Sequence, residues 1–414
     1  MKKIISIILL IHSLAIFSQQ QEGYTRSSLH LTLVDDFDFE GGEYVLESYK
    51  KFKFPENYNN HTIDLMKIKL TEFELTAEEK AENGKESSLL GDELKASASE
   101  STGGLVKIQD NSMVKLQLDK FIAEKNVANE LVKKWWSIAE DGAFSKKLMF
   151  ERTLQTLTAA QASVNAESSI EADLMNPLIS NTFVVFTRLY YLSNEVFAST
   201  IRTTAYAQAA KLPGLAQKLA IKAADKVYEK TKEGYSVWTT AWLYKLKWDA
   251  TVLETFISTI DQATGKVDFD KFNTTNFELE YLSQEKATSL VTFSLKEEDK
   301  DRTEQDVFDL ATVRNMSKVL VKLQKKNDVF KPIFPLKEGF KMAAGTKEGV
   351  SGDQTFEVLE KRKGEYKRIG KMKVDKKRVW NNSWTGEDIE EGFTFFKKGS
   401  KKFIPNIHFV RLIK

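Results

Sequence analysis

Cysteine is absent from this sequence, and histidine and proline are rare, with four histidines and six prolines in 414 residues. The absence of cysteine excludes disulfides, thiolate nucleophiles and a lipid-acceptor cysteine. No His-Glu-x-x-His zinc motif occurs, and so few histidines give little support to nucleophilic catalysis. The protein must therefore be stabilised by packing, and we expect no cofactor.

A strong net charge is also missing, since the formal value is only +2. Such a balance gives no chain-wide field that would attract nucleic acid, so we expect no nucleic-acid partner. With 42% hydrophobic and 29% charged residues, the composition is that of a folded globular protein. The length is more than a single core usually serves, which predicts two or three packed modules.

Long apolar runs are confined to the first residues, where Lys2 and Lys3 precede a largely apolar run from Ile4 to Phe17. This run is shorter than the roughly 20 residues that a helix needs to cross a bilayer, and the small residue Ser18 follows it. The pattern predicts a signal peptide at residues 1–18. We therefore expect an exported protein that is periplasmic, associated with the outer membrane or extracellular.

The rest of the chain indicates an α+β fold with helices and antiparallel strands. Residues 19–75 are predicted to form an N-terminal β region in which each strand buries one face, because apolar and polar residues alternate from Leu29 to Leu33. Residues 76–104 contain no aromatic residue and end in Ser and Gly, which is typical of a flexible surface loop. Residues 105–335 are predicted to form an α+β body.

Periodicity predicts the main elements of this body. An amphipathic helix is predicted from Leu118 to Trp136 behind a capping Asp119, and a second long helix is predicted at residues 305–326. Residues 181–192 and 235–248 are rich in β-branched and aromatic side chains. Both segments are therefore predicted to be strands.

A helical hairpin is predicted between these two strands. Residues 195–233 are rich in alanine, and Pro213 and Gly214 break their helical periodicity into two halves. Basic amphipathic helices can lie on an anionic membrane surface, whereas apolar residues at helical spacing are also typical of any packed hairpin. The basic residues of the segment are Arg202, Lys211, Lys218, Lys222, Lys226, Lys230 and Lys232.

Residues 336–414 are predicted to form a small β-barrel module. Phe356 and Val358 alternate with polar residues, and several glycines supply turns. A phosphate-binding loop is not indicated, because Gly345 is followed by Gly349 after three residues and the required lysine is missing.

A dense basic run at residues 360–378 gives the module its candidate ligand-binding side chains. Lysine and arginine at this density could bind an anionic glycan, lipopolysaccharide or a lipid surface, and a tyrosine could stack on a ring. Alternatively, these charges form a solvated face that prevents pairing between sheet edges. The candidates are Lys363, Tyr366, Lys371, Lys376 and Arg378.

Four aromatic residues of the second predicted strand, Trp238, Trp242, Tyr244 and Trp248, share one face because they lie an even number of residues apart. They could form a platform for sugar rings, with Trp242 as a candidate ligand-binding residue. Aromatic residues at strand spacing are also typical of a core.

A cation site is a further hypothesis. Asp36, Asp38 and Glu40 fall on one side of an extended segment, next to Gly41 and Gly42. Calcium prefers several hard oxygen ligands of this kind, although the spacing of an EF-hand is absent.

Two functions from different classes remain open. The first is an exported, non-enzymatic structural or binding protein of the envelope, with other envelope proteins among its expected partners. The second is a carboxylate-dependent hydrolase acting on envelope or dietary glycan, which would require a cleft with converging carboxylates beside exposed tryptophans. Ser48 and Lys51 match a Ser-x-x-Lys pattern, but the companion motifs of that enzyme class are missing.

Four stretches of the sequence carry a resemblance to known proteins. They are "NYNNHTID", "FIAEKNVANELVKKWW", "SNTFVVFTRLYYLS" and "GTKEGVSGDQTFEVLEKRKGEYKRIGKMKVDKKRVW". Together they resemble a set of uncharacterised exported proteins of Bacteroidota-type Gram-negative bacteria, over most of the mature chain. This resemblance implies export and supplies no catalytic residue. The segment "GTKEGVSGD" is also similar to small β-barrel modules of envelope-assembly proteins.

Overall fold

A computed structural model describes residues 27–35, 42–55, 58–81, 111–144, 179–293, 302–362, 365–382, 392–397 and 402–413. The fold is α+β, as the sequence predicts. The expected signal peptide at residues 1–18 and most of the expected loop at residues 76–104 lie outside the described residues.

A mixed six-stranded sheet forms the centre of the body, in the order β2-β1-β4-β5-β6, with β3 also paired to β1. Strand β1 is parallel to its three neighbours, whereas β5 is antiparallel to both β4 and β6. The strands are β1 (Ser28–Val34), β2 (Asn59–Asn60), β3 (Lys67–Ile68), β4 (Thr182–Ser193), β5 (Tyr235–Leu246) and β6 (Leu279–Val291).

The N-terminal region differs from its prediction in two ways. All seven residues of β1 are buried, so the expectation of one buried face is wrong, because side chains pack on both faces of this inner strand. In addition, Gly42–Lys51 forms helix α1, which the strand pattern did not indicate. Val45 and Tyr49 lie one turn apart on its buried side, and Lys50 and Lys51 favour its C-terminal end.

The long helix α8 (Glu304–Lys326) packs with α1 on the first face of the sheet. It confirms the helix predicted at residues 305–326. Thr303 and Asp306 form a capping box that fixes its start. Val307 and Leu323 of α8 are completely buried against the apolar residues of β1, β4 and β5.

Helices α2 (Asn111–Glu124) and α3 (Val127–Trp136) cover part of the second face. Their apolar side chains pack on aromatic residues of β4 and β5, including Phe186 and Trp242. Phe121 of α2 meets Phe186 edge-on, with 5.8 Å between the ring centroids. This half of the second face is therefore closed to solvent.

The single helix predicted from Leu118 to Trp136 is in fact divided between α2 and α3. Asn126 lies between them with a φ of 47°, a left-handed conformation that ends a helix. Asp119 does not cap a helix, because it lies inside α2 and accepts hydrogen bonds from Lys115 and Tyr244. The apolar residues keep their helical spacing across the break, so periodicity alone could not locate it.

Two short helices, α6 (Ala250–Ser258) and α7 (Phe269–Thr274), follow β5 and enclose an aromatic cluster. Trp136 stacks on Phe256 with 4.7 Å between centroids. The amide of Asn129 donates hydrogen bonds to the carbonyl oxygens of residues 272 and 275, at 3.0 and 2.9 Å. These contacts join α3 to α7.

The predicted helical hairpin is confirmed. It consists of α4 (Asn194–Ala209) and α5 (Gly214–Thr231), and it connects the antiparallel neighbours β4 and β5. Ser193 caps α4 by accepting a hydrogen bond from the backbone N–H of Glu195. Among the described residues, no helix is both long and apolar enough to cross a membrane.

Lysines of α8 cover the outer edge of the sheet at β6. Lys318, Lys322 and Lys326 donate hydrogen bonds to the carbonyl oxygens of residues 288, 286 and 284, at 3.2, 2.6 and 3.4 Å. The four-residue spacing on the helix matches alternate residues on the strand. Backbone acceptors that would otherwise attract another strand are therefore occupied.

The C-terminal module contains short strands that form two sheets, with β10-β9-β12-β7 in one and β8-β11 in the other. Its strands share one core, and no closed barrel is formed among the described residues. Gly349 lies so close to α8 that an added Cβ would come within 2.5 Å of Val321. The strands are β7 (Phe334–Pro335), β8 (Lys341–Met342), β9 (Thr355–Arg362), β10 (Glu365–Lys373), β11 (Thr394–Phe395) and β12 (Phe409–Leu412).

Candidate functional site

The candidate residues of the C-terminal module are not brought into one site. Tyr366 and Lys371 lie on β10, whereas Lys376 and Arg378 follow that strand. At about 3.3 Å per residue, Tyr366 and Lys371 are about 16 Å apart along the strand. Lys363 lies outside the described residues.

Two of these side chains are engaged within the module. The ring of Tyr366 packs edge-on against Phe409, with 5.1 Å between centroids. The guanidinium of Arg378 lies 3.3 Å from the ring centroid of Phe395. Lys371 and Lys376 are exposed; Lys371 lies on β10 and Lys376 in the turn that follows it. This arrangement favours the alternative in which the charges solvate the module and protect its edge strand β10.

Trp242 is not available to a ligand, because its side chain has 0% exposure beneath α2 and α3. Its proposal as a ligand-binding residue is therefore corrected. Tyr244 and Trp248 are also buried, and Tyr244 donates a 2.7 Å hydrogen bond to Asp119. Burial, together with the adjacent Asp119 carboxylate, raises the pKa of Tyr244. Of the four aromatic residues, Trp238 alone is partly exposed.

The predicted cation site cannot be placed, since Asp36, Asp38 and Glu40 lie outside the described residues. Within the described ranges, no group of three or more His, Asp or Glu side chains is arranged to hold a metal ion.

His30 is held as a neutral side chain inside the sheet. Its Nδ1 accepts a hydrogen bond from the backbone N–H of Ile63 at 3.3 Å, and its Nε2 lies 2.9 Å from the hydroxyl of Thr32. That hydroxyl donates to the carbonyl of Leu65, so it accepts the proton of Nε2. Burial lowers the pKa of His30 from 6.5 to about 4. His30 therefore has a structural role in this arrangement.

We expect His30 to make the fold sensitive to acid. Because its pKa is lower in the folded state, the unfolded state binds more protons between pH 4 and 6.5, and stability falls as pH decreases through this window. The loss between pH 7 and pH 5 should be about 2 kcal/mol. Urea denaturation at both pH values measures it, and the His30→Gln variant should lose that part of the pH dependence. An equal slope in both proteins would contradict the assignment.

The Ser-x-x-Lys pair connects two helices. Asp309 of α8 accepts hydrogen bonds from Ser48 and Lys51 of α1, both at 2.7 Å, and a third from Gln305. Burial alone would raise the pKa of Asp309, but these hydrogen bonds outweigh it and hold the pKa below its usual value. The pKa of Lys51 is raised, chiefly by its hydrogen bond to Asp309. A lysine that stays protonated cannot activate Ser48 as a general base.

Helix α5 presents an apolar row to solvent. The row consists of Leu215, Leu219, Ala223 and Val227, which are spaced four residues apart. Leu215 is 75% exposed and Leu219 is 60% exposed, and no residue of α5 is buried. An exposed helix with a continuous apolar row is unusual in a soluble protein unless that row meets a partner.

A lysine row runs beside the apolar row on the same helix. Its members also recur every fourth residue. Three of them directly precede Leu219, Ala223 and Val227, and the fourth lies near the end of the helix. Within the described residues, none of these lysines forms an ion pair or hydrogen bond. The lysine row is Lys218, Lys222, Lys226 and Lys230.

Contacts between the two helices hold the hairpin together and engage acidic groups. The guanidinium of Arg202 lies 3.8 Å from the ring centroid of Tyr228. The hydroxyl of Tyr206 donates a hydrogen bond to Asp225, which raises the pKa of Tyr206. Glu229 pairs with Lys232 at 2.8 Å. Asp225 and Glu229 thereby pair with residues outside the lysine row.

Asn194 fixes the base of the hairpin to the sheet. Its buried side-chain amide donates hydrogen bonds to the carbonyl oxygens of Val291 and Glu233, at 3.0 and 3.3 Å, and its oxygen accepts one from Ser236 at 2.8 Å. Its backbone N–H bonds the carbonyl of Gly234 at 2.9 Å. The orientation of the hairpin is therefore set by the body.

Comparison of the chain with protein-family models, with curated proteins and with solved structures gave no match. Function must accordingly be inferred from the surfaces of this molecule. Among the described residues, the hairpin carries an exposed apolar row and a lysine row side by side on one helix. The sequence indicated its lysines, whereas the outward direction of the apolar row on α5 becomes evident only in three dimensions.

Proposed function

We propose that this protein is an exported, non-enzymatic component of the cell envelope that binds an anionic lipid surface through its helical hairpin. The observation that supports the proposal is the pairing of an exposed apolar row with a lysine row on α5. Helices that lie at a lipid interface combine these two features. Export is supported by the N-terminal sequence pattern.

The tip of the hairpin is best suited to enter the interface first. Residues spaced by four drift by about 40° per step around a helix, so the apolar row turns away along α5. Leu215 and Leu219 lie next to the turn, where Leu212 is also exposed. The most exposed apolar side chains are therefore concentrated at the end of the hairpin farthest from the sheet.

Two energetic terms of similar size contribute to binding. Burying an exposed leucine side chain contributes about 2 kcal/mol. Each lysine near an anionic surface contributes about 1 kcal/mol, and added salt weakens only this second term. We therefore expect binding to require anionic lipid and to decrease, without disappearing, as salt is raised.

Sedimentation with lipid vesicles tests the proposal. Vesicles containing phosphatidylglycerol should retain the protein, whereas vesicles of phosphatidylcholine alone should retain much less. Replacing Lys218 and Lys222 by glutamine should weaken binding to the anionic vesicles about 30-fold. Leu215→Ser should weaken it to a similar extent, about 30-fold, with either lipid.

A matched control removes the same charge elsewhere. Lys50 and Lys69 are exposed residues of the body, and their replacement by glutamine should leave vesicle binding unchanged. A parallel replacement of Lys371 and Lys376 measures any contribution from the C-terminal module. If the hairpin and control variants bind equally well, or if the unmodified protein ignores anionic vesicles, the proposal is wrong.

A further inference from the structure

Basic side chains recur every four residues along α8, and the first of them differs from the rest. Lys318, Lys322 and Lys326 each donate a hydrogen bond to a backbone carbonyl oxygen on the edge of β6. Arg314 precedes them in the same row, and the same spacing places it beside Leu290 of that edge. Within the described residues, its guanidinium forms no hydrogen bond, ion pair or ring contact. Arg314 therefore does not serve to occupy an acceptor of the sheet edge.

A second arginine reaches the same edge from the segment before α8. The Nη1 of Arg302 donates a 2.9 Å hydrogen bond to the carbonyl oxygen of Thr292. Thr292 lies two residues beyond Leu290, so the two arginines approach the edge about 7 Å apart along the strand. Both side chains are partly buried. Two guanidiniums at this separation can hold one phosphate group between them, because each presents a fork of N–H donors.

The positive charge of this arginine pair is not neutralised by any acidic side chain that the structure describes. Partial burial lowers the pKa of Arg314, and the positive charge of Arg302 lowers it further. Burial and neighbouring cations also lower the pKa of Lys318. Glu304, which follows Arg302 closely in the sequence, accepts a 2.5 Å hydrogen bond from Tyr235. The carbonyl oxygens of the edge accept hydrogen bonds but carry no formal charge, so the cations repel one another.

We propose that Arg302 and Arg314 bind the phosphate group of a soluble phosphate monoester. A dianion between the two guanidiniums would accept hydrogen bonds from both and remove the repulsion between them. The backbone offers a further donor. The carbonyl oxygens of residues 288 and 292 point outward from β6, and alternate residues of an antiparallel strand direct both backbone groups to the same side. The N–H of Leu290 therefore points to the same edge, between the two arginines.

The position of the pair favours a soluble ester over a lipid headgroup. Val291, which lies between Leu290 and Thr292, accepts a hydrogen bond from Asn194 at the base of the hairpin. Helix α5 has 18 residues and is about 27 Å long, with its first residue at the tip. A lipid surface that meets the tip would therefore lie away from the arginine pair. The phosphate site uses other residues than the hairpin surface and does not depend on the proposed function.

Calorimetric titration of the full chain with glucose 6-phosphate tests the proposed site. The ester should bind, whereas glucose should not. Arg314→Gln and Arg302→Gln should each weaken binding about tenfold. Arg314→Lys keeps the charge but loses the planar fork, and it should weaken binding about threefold. Lys69→Gln removes an exposed cation elsewhere on the body and should leave binding unchanged.

Thermal unfolding in phosphate-free buffer separates binding from folding. Because the two arginines repel each other, Arg314→Gln should keep or raise the unfolding midpoint, and glucose 6-phosphate should stabilise the unmodified protein more than this variant. A marked loss of stability in Arg314→Gln would mean that a carboxylate of this chain already neutralises the pair, and would overturn the proposal. So would absence of binding, or equal binding by Arg314→Gln. Tighter binding through Arg314 to phosphatidic acid vesicles than to glucose 6-phosphate would overturn the choice of a soluble ester.

Discussion

Replacing Trp242 by alanine should lower the free energy of unfolding by about 3–5 kcal/mol. This side chain is completely buried between the sheet and helices α2 and α3. Its removal leaves a cavity that the surrounding aromatic rings, including Phe186 and Tyr244, cannot fill without moving. Urea denaturation followed by circular dichroism gives the change directly.

Two variants identify the source of this cost. Trp238→Ala, at a partly exposed position of the same face, should cost only about 1–2 kcal/mol. Trp242→Phe should cost less than Trp242→Ala, because phenylalanine fills most of the space and leaves a smaller cavity. Neither variant loses a hydrogen bond, since the buried indole N–H has no partner within the described residues. Equal destabilisation by Trp238→Ala and Trp242→Ala would contradict the difference in burial between the two positions.

Gly234→Ala should destabilise the protein by about 4 kcal/mol, from a steric clash and backbone strain together. Gly234 lies at the base of the hairpin with a φ of 110°, and an added Cβ would lie 2.0 Å from the carbonyl oxygen of Val291. Neither atom can move without disturbing the pairing of β5 with β6. The unfolding midpoint in urea measures the effect.

Gly265→Ala is the matched control for this substitution. Gly265 also has a positive φ, of 68°, but nothing lies within 4 Å of its added Cβ. The strain alone should cost about 1 kcal/mol. If the two alanine variants had the same stability, the close approach at Val291 would not be a determinant of the fold.

Elements with long, uninterrupted patterns were predictable from the sequence. Helix α8 repeats its apolar residues over many turns, and strands β4 and β5 combine β-branched with aromatic residues. Pro213 and Gly214 mark the turn of the hairpin through their own backbone preferences. In each case the deciding information is local.

Other features depend on distant parts of the chain. The aromatic residues of β5 share a face by sequence, but helices more than a hundred residues earlier in the chain decide which of them are buried. The break between α2 and α3 at Asn126 does not interrupt the apolar spacing, so periodicity does not reveal it. Helix α1 is short enough that its apolar pattern fits a strand as well as a helix.

The candidate functional surfaces also differ in how far they could be predicted from local sequence. The lysines of the hairpin could be identified from composition, whereas the solvent-facing apolar row depends on how α4 packs on α5. The candidates in the C-terminal module are close in sequence, yet an extended strand separates Tyr366 from Lys371. Nearness in sequence was therefore a poor guide to nearness in space for these residues.

The lysines along β6 bear on how copies of this protein can associate. Lysines occupy backbone carbonyl oxygens along the β6 edge of the sheet, and at the opposite edge only two-residue strands lie beyond β1. Neither edge therefore offers a long unpaired strand on which a strand of another molecule could pair. Growth of a continuous intermolecular sheet is thus disfavoured at high local concentration. Crowding on a surface would leave each central sheet a separate unit, with contacts between neighbours confined to peripheral parts of the molecule.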